Sequence, residues 1–548
     1  MFKVRELRLA ILVALSSCYP AYAQDPGAVL KNIQQNQIDQ QSKPAEPEET
    51  AEVDNTVVIN TLKDTEVNSP LLNNELTDYW EDSLGKPVSS EQLTKFKAWA
   101  WDKFRRHGYL AFVTTEQKSA GAAGSTLVIN VTTPKINNLD FAFATQRLPE
   151  ENKEDIKAMY VDSFKSGDSV DILALENRIQ HANFYLPVEM DANVKQTAPD
   201  YVDVTLNTRD VEPASIGKFL GASVQANTFG LEQYGRFQAV GTAAFEGFTP
   251  YSQFKFSGQQ SEGVSYGRGE YQLPVAFLKG QVYVYGSYSD FESVKNIVSA
   301  TEGNSAEYGT GISHLLGTNR YAAFKSHLDF SARHTVNSLK KEQLVISDLN
   351  SYQGRLSFTA DNGKLDTDQF NVGVTFVGGN YSTEDGVGLD GNYGKMELNG
   401  QFTKTLWVEH DILFSTRFRG QLSTTNLNSY DMISIGGTNG VRAYTTVDGL
   451  ADQGGVVSMD LYHRFPYQQY AGIFYDAGVV KPSKNGPVNE NGQYVLQGVG
   501  AQYGGSYSKI GYNFYVAKAT GSYENYFEGN MESVPGNWRV NGSLSYAF

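Results

Sequence analysis

From Trp538 to Phe548 the chain alternates with period two. Trp538, Val540, Gly542, Leu544, Tyr546 and Phe548 stand against Arg539, Asn541, Ser543, Ser545 and Ala547. Successive side chains of a strand point to opposite faces, so this segment reads as a strand with one face in oil and one in water. A chain ending on such a strand, with a terminal Phe, reads as an outer-membrane β-barrel closing on itself. Trp538, Tyr546 and Phe548 are the candidate C-terminal assembly signal of that barrel.

The alternation repeats upstream, over residues 212–548. Phe370, Val372, Val374 and Phe376 share a face against Asn371, Gly373 and Thr375. Met396, Leu398, Gly400 and Phe402 face away from Glu397, Asn399, Gln401 and Thr403, and Tyr352, Gly354, Leu356 and Phe358 follow the same rule. At roughly 20 residues per strand and connection, this length makes about sixteen antiparallel strands with a polar, hydrated interior. No stretch reaches the roughly 18 apolar residues of a helical span, so a membrane protein of this sequence has to be a closed barrel. The 33 Tyr and 30 Phe suit interfacial girdles, and the 52 Gly suit tight turns and barrel bends. A formal net charge of −16 argues against nucleic acid as a partner.

The first 23 residues read as a signal peptide. Lys3, Arg5 and Arg8 precede a short apolar core from Leu9 to Leu15, and Ala21-Tyr22-Ala23 forms an A-x-A cleavage site before Gln24. Leu15-Ser16-Ser17-Cys18 offers a competing lipoprotein reading, which fits the length less well. Cys18 is the one cysteine, so cleavage after Ala23 leaves a chain without disulfides. Residues 24–41 read as a polar, Gln- and Asn-rich helix with few apolar positions, suited to a wet environment. Residues 42–55, with Pro44, Pro47 and an acidic run, read as a flexible linker.

Residues 56–134 read as a small α/β unit. Val57 to Ile59 opens a strand, and Ser89 with Gln92 makes a capping box. Leu93, Phe96, Ala100 and Phe104 then share one helical face, with Trp99 and Trp101 off it. Gly108 is the expected C-cap, Tyr109 to Val113 the next strand, and Leu127, Ile129 and Val131 mark the last. Residues 135–211 repeat the pattern: a strand from Ile136 to Phe141, helices at 156–164 and 172–179, and a strand through Val202, Val204 and Leu206.

Two segments in the barrel region carry the sharpest signal. The first is Gly436-Gly437-Thr438-Asn439-Gly440-Val441-Arg442-Ala443-Tyr444, read as a Gly-rich loop continuing to Gly454-Gly455, with a lone Arg near its centre. The second is Phe474-Tyr475-Asp476-Ala477-Gly478, inside a strand. If Ile473, Tyr475, Ala477 and Val479 face lipid, then Phe474, Asp476 and Gly478 face the lumen. A lumenal carboxylate can hold an Arg carried inward by a folded loop, and a bidentate pair of that kind sets loop geometry.

Together the two segments resemble the outer-membrane transporters of two-partner secretion, the TpsB family of ShlB-, FhaC- and HecB-like haemolysin or haemagglutinin secretion/activation proteins. Members carry a V-R-G-[FY] loop tip and an F-x-D-x-G strand motif. Val441, Arg442 and Tyr444 match the tip, Ala443 replaces its Gly, and Phe474, Asp476 and Gly478 match the strand motif. Ala disfavours φ > 0, so an altered tip shape is expected. The resemblance spans the chain after residue 23. It implies that residues 24–41 plug the lumen, that the two α/β units are POTRA domains capturing an unfolded client in the periplasm, and that the client threads the barrel without ATP. Implied partners are a large secreted exoprotein (an adhesin, haemolysin or haem-binding protein), outer-membrane lipid or lipopolysaccharide, and the barrel assembly machinery. The implied site is the outer membrane of a Gram-negative bacterium. An assembly factor of the same superfamily is the competing reading.

An enzymatic role finds no residues to carry it. Gly386 to Gly391 spells G-x-G-x-x-G, yet it lies between alternating strands with no helix after it, so it reads as an extracellular loop. No H-E-x-x-H, Cys/His cluster or G-x-S-x-G elbow is present. No catalytic residue, metal or cofactor is expected.

Overall fold

The computed structural model describes residues 57–548, except 107–108, 120–123, 144–149, 162–163, 173–174, 176–178, 180–187, 199, 211–214, 250–251, 276–279, 295–299, 319–321, 362–368, 384–388, 408–411, 466–468, 486–491, 522 and 524–535. The expected signal peptide, plug helix and linker therefore lie outside the described residues, as do the Gly108 cap and most of the helix expected at 172–179. The described residues form two compact units, one of them from the described residues of 57–212 with 317–323 and the other from the rest.

The N-terminal unit contains two three-stranded sheets. In the first, Ser125–Thr132 lies between Leu62–Asn68, parallel to it, and the antiparallel Phe112–Ser119. The helix Ser90–Arg106 covers this sheet. Its start carries the capping box: the Gln92 N–H donates to Ser89 Oγ at 3.3 Å, and the Ser89 N–H to Gln92 Oε1 at 2.9 Å. Phe96, Ala100 and Phe104 on one stripe are fully buried against Leu127, Ile129 and Val131 from the central strand. Trp99 packs on Tyr79, rings 4.6 Å apart, whereas Trp101 is exposed. Three features escape the apolar pattern. The strand Leu62–Asn68 and the helix Asn73–Asp78 are largely polar, and the strand expected at Tyr109 to Val113 begins at Phe112 instead.

The second sheet repeats the order, with Tyr201–Asp210 between the parallel Lys135–Phe143 and the antiparallel Val188–Ala198. The helix here is Glu150–Val161, earlier than expected, and it seats Ile156 and Tyr160 in the core. Val188–Ala198 was masked in the sequence by its polar alternation.

The C-terminal unit is a closed barrel of sixteen antiparallel strands, from Phe219–Asn227 to Trp538–Ala547. Closure joins the last strand to the first, with Leu544 opposite Ala226 and Tyr546 opposite Val224. A closed sheet leaves no unpaired edge, and this lets strands cross lipid. Trp538, Leu544, Tyr546 and Phe548 point outward, while Asn541 and Ser543 are buried inside. Two strands, Thr301–Thr318 and Leu344–Asp361, run 18 residues, well past the roughly 9–11 that a span requires. The long connections gather at one end of the barrel, and among them residues 424–452 fold back into the interior.

Candidate functional site

The interior loop runs between the strands Ile412–Ser423 and Gln453–Phe465. A two-residue ladder pairs Ile433 with Ala451 and Ser434 with Leu450, and gives the loop a waist. Ser434 Oγ donates to the Thr446 carbonyl at 2.6 Å across that waist. Beyond it, residues 436–446 form the tip. Gly437 holds φ +90°, a conformation that L side chains rarely adopt, and its N–H donates to the Tyr444 carbonyl. Gly454 and Gly455, expected in the loop, belong to the strand Gln453–Phe465.

Arg442 is the centre of the tip. Its backbone N–H and Nε both donate to Asp476 Oδ2 at 2.9 Å, and Nη2 donates to Asp476 Oδ1 at 2.7 Å. Nη1 donates to Asp460 Oδ1 at 2.7 Å and to Gln502 Oε1 at 3.3 Å. The guanidinium carbon sits 3.5 Å from the centre of the Phe474 ring. The planar fork thus meets two carboxylates at its edges and an aromatic face below, an arrangement that Lys cannot reproduce. Arg442 and Asp460 are almost fully buried and Asp476 completely so. Charges withdrawn from water to this degree hold only when paired and hydrogen-bonded.

Strand alternation delivers the partners. In Gln469–Lys481, Phe474, Asp476, Gly478 and Val480 face inward, while Ile473, Tyr475 and Val479 are exposed outside. Asp460 comes from the neighbouring strand, paired directly opposite Phe474, and Gln502 from the strand beyond. Gln502 Nε2 donates to Asp460 Oδ1 at 3.0 Å, and Arg417 Nη2 lies 3.6 Å from Asp460 Oδ2. Sequence reading missed Asp460 and Gln502. The signal available was alternation: Asp460 occupies an inward position between the outward Met459 and Leu461.

Around the ion pairs the tip is apolar. Val441, Ala443 and Tyr444 are buried with Ile435, Val456, Phe474, Leu496 and Tyr515. Gly478 makes this fit possible, since a Cβ there would overlap Ile435. Ala443 is not among the positive-φ residues, so the altered tip expected from its Cβ does not arise on that ground. Its methyl fills space over Gly498, where a second Cβ would stand 2.7 Å away. The structure therefore brings Val441, Arg442, Tyr444, Phe474, Asp476 and Gly478 together. Trp538, Tyr546 and Phe548 lie apart from them on the outer face.

The chemistry that this arrangement offers is anchorage of the loop tip to the barrel wall. Among the described residues, no group of three or more His, Cys, Asp or Glu is placed to hold a metal ion.

The fold and the seated loop define a transporter-type membrane barrel with a lumenal loop locked to its own wall. A sequence model of the family described as "Haemolysin secretion/activation protein ShlB/FhaC/HecB" matches residues 218–503, more than half of the chain, and the chain belongs to that family. Among solved structures it is similar to CdiB from Escherichia coli, at 16% identity and a TM-score of 0.57, over 98% of this chain and 100% of the other. It is also similar to CdiB from Acinetobacter baumannii, at 15% identity and a TM-score of 0.54, over 95% and 97% of the two chains. A comparison with curated protein sequences returns no match. Protein secretion is thus the setting of the family to which this barrel belongs.

Proposed function

We propose that this chain exports a dedicated, unfolded exoprotein through its barrel, without ATP, and that Arg442 and Asp476 hold the lumenal loop in the position that export requires. The observation carrying the proposal is the seat of Arg442: a buried cation on a loop, satisfied by carboxylates from two barrel strands. Such a seat resists collapse of the loop yet consists of reversible bonds. Phe474 and Gly478 shape it, and Val441 and Tyr444 pack the tip around it.

In this reading the barrel lies in the outer membrane of a Gram-negative bacterium, amid its lipopolysaccharide, after insertion by the barrel assembly machinery. The two α/β units are periplasmic POTRA domains. Their edge strands, Leu62–Asn68 and Phe112–Ser119 in one and Lys135–Phe143 and Val188–Ala198 in the other, are suited to add a client segment by β-augmentation. Residues 24–41 block the lumen at rest. The client is an adhesin, haemolysin or haem-binding protein, and net direction comes from its folding outside.

The test is secretion in a reconstituted host. The chain is expressed with the large exported protein encoded beside it, and the medium and cell surface are assayed. Client outside only when the chain is present, and lost with Arg442→Ala, is the expected result. Client outside regardless, with other outer-membrane barrels depleted when the chain is absent, would move the function to barrel assembly.

A further inference from the structure

The loop has a second half, and the chemistry that attaches it differs from that of the tip. Before the waist, residues 424–432 lie mainly against the strands Ala323–Leu339, Gln369–Thr383, Gly391–Trp407 and Ile412–Ser423, the last of which pairs with the strand carrying Asp460. Asp431 Oδ2 accepts a hydrogen bond from Tyr381 Oη at 2.9 Å and stands 3.6 Å from Arg333 Nη1. The Asp431 carbonyl accepts from Lys395 Nζ at 2.8 Å and from Gln421 Nε2 at 3.0 Å. Leu427 and Tyr430 are buried against apolar wall residues, with Arg333 over the Tyr430 ring at 5.2 Å.

Each wall cation in this attachment already has a wall carboxylate of its own. Arg333 Nε donates to Glu307 Oε2 at 2.9 Å, and Lys395 Nζ lies 2.6 Å from Glu397 Oε1. Tyr381 stacks on Tyr393 with ring centres 4.3 Å apart. If residues 424–432 lift away, those pairs remain and Asp431 moves into water. Removing one member of a buried pair is costly because it orphans the other. Here no cation is orphaned: besides Asp431's own bonds and the burial of Leu427 and Tyr430, the loss comprises hydrogen bonds from uncharged donors, among them Leu427 N–H to Asp452 Oδ1, Asn428 N–H to Tyr381 Oη, and Ser483 Oγ and Asn485 N–H to Asn426 Oδ1. At the tip the same motion would strip the fully buried Asp476 of the three bonds given by Arg442. The waist at Ile433–Ser434 separates the two halves mechanically.

We propose that residues 424–432 are the movable half of the loop, with Asp431 as its releasable latch, while the tip stays seated. The proposal rests on the translocator reading, and it names the part of the loop that yields when the lumen widens. The releasing event is exchange of the Asp431 contacts with Tyr381 and Arg333 for water.

The test uses the purified full-length chain, folded in liposomes, with Cys18→Ser in the background. Leu427→Cys reports on the movable half and Ala443→Cys on the tip, both positions being buried. Met432→Cys serves as a second reporter should Leu427→Cys fail to fold. Labelling by a membrane-impermeant maleimide is timed in barrels that keep their folded, heat-modifiable mobility on gels. Asp431→Asn, and separately Tyr381→Phe, are expected to speed labelling at residue 427 by about tenfold, the equivalent of one hydrogen bond to a charged group, and to leave residue 443 unchanged. Equal acceleration at both reporters, acceleration at 443 alone, or none at 427 would overturn the latch. No client is present, so this result judges the latch alone; failure of export with an intact latch would count against the translocator reading.

Discussion

Arg442 gives Asp476 three hydrogen bonds, one from its own backbone N–H and two from its guanidinium. The side chain and the main chain of one residue are therefore fastened to one carboxylate, and both the position and the direction of the loop tip are set. The Phe474 ring beneath the guanidinium closes the remaining face.

Arg442→Lys keeps the charge but loses the fork. We expect the tip to loosen, with a cost of about 2–3 kcal/mol for the charge-assisted hydrogen bonds that a single ammonium cannot make to both carboxylates. Proteinase K should then cleave the loop in intact outer-membrane vesicles, and export of the client should fall sharply. A loop as resistant as the wild type would contradict this.

Asp460 and Asp476 differ in weight. Asp460 shares its charge among Arg442, Gln502 and Arg417, whereas Asp476 is committed to Arg442. Asp460→Asn should cost about 1–2 kcal/mol of tip stability, less than Asp476→Asn. The rank order of loop cleavage rates in the two variants decides the point.

Gly478 leaves room for Ile435. Gly478→Ala forces that contact, at a cost of about 1–3 kcal/mol by overpacking. Ile435→Ala in the same chain should restore most of the lost protection, because the two substitutions act on one space. Simple addition of the two defects would show that Gly478 is needed for another reason.

Ala443 calls for no left-handed backbone. Ala443→Gly should therefore leave export intact and loosen the tip by only about 1 kcal/mol, the loss of one buried methyl plus added chain freedom. A large gain or loss of export would mean that the tip backbone changes shape during transport.

Residues 24–41 are the proposed plug. Their deletion should raise ion conductance in planar bilayers, and unchanged conductance would reject that role. The wild-type chain, recorded in parallel, is the reference.

The alternation of strands such as Gln469–Lys481 and Trp538–Ala547 made the barrel legible from sequence, because lipid on one side and water on the other impose period two on every strand. The same rule placed Asp476 inward, and the Gly-rich segment around Arg442 marked a folded loop. The helix Ser90–Arg106 was legible from its cap and its apolar stripe, while the strands Leu62–Asn68 and Val188–Ala198 were hidden because their polar residues belong to sheet edges. Tertiary structure alone decided which residues complete the site. Asp460 and Gln502 reach Arg442 only because barrel closure sets the register of three neighbouring strands, and nothing local to either residue encodes that register. Tertiary structure alone also separated the two halves of the loop, since Asp431 and Arg442 lie eleven positions apart in the sequence but are held by different walls of one barrel. Sequence periodicity reports the surroundings of each side chain on its own strand; the pairing of distant charges is set when the sheet closes.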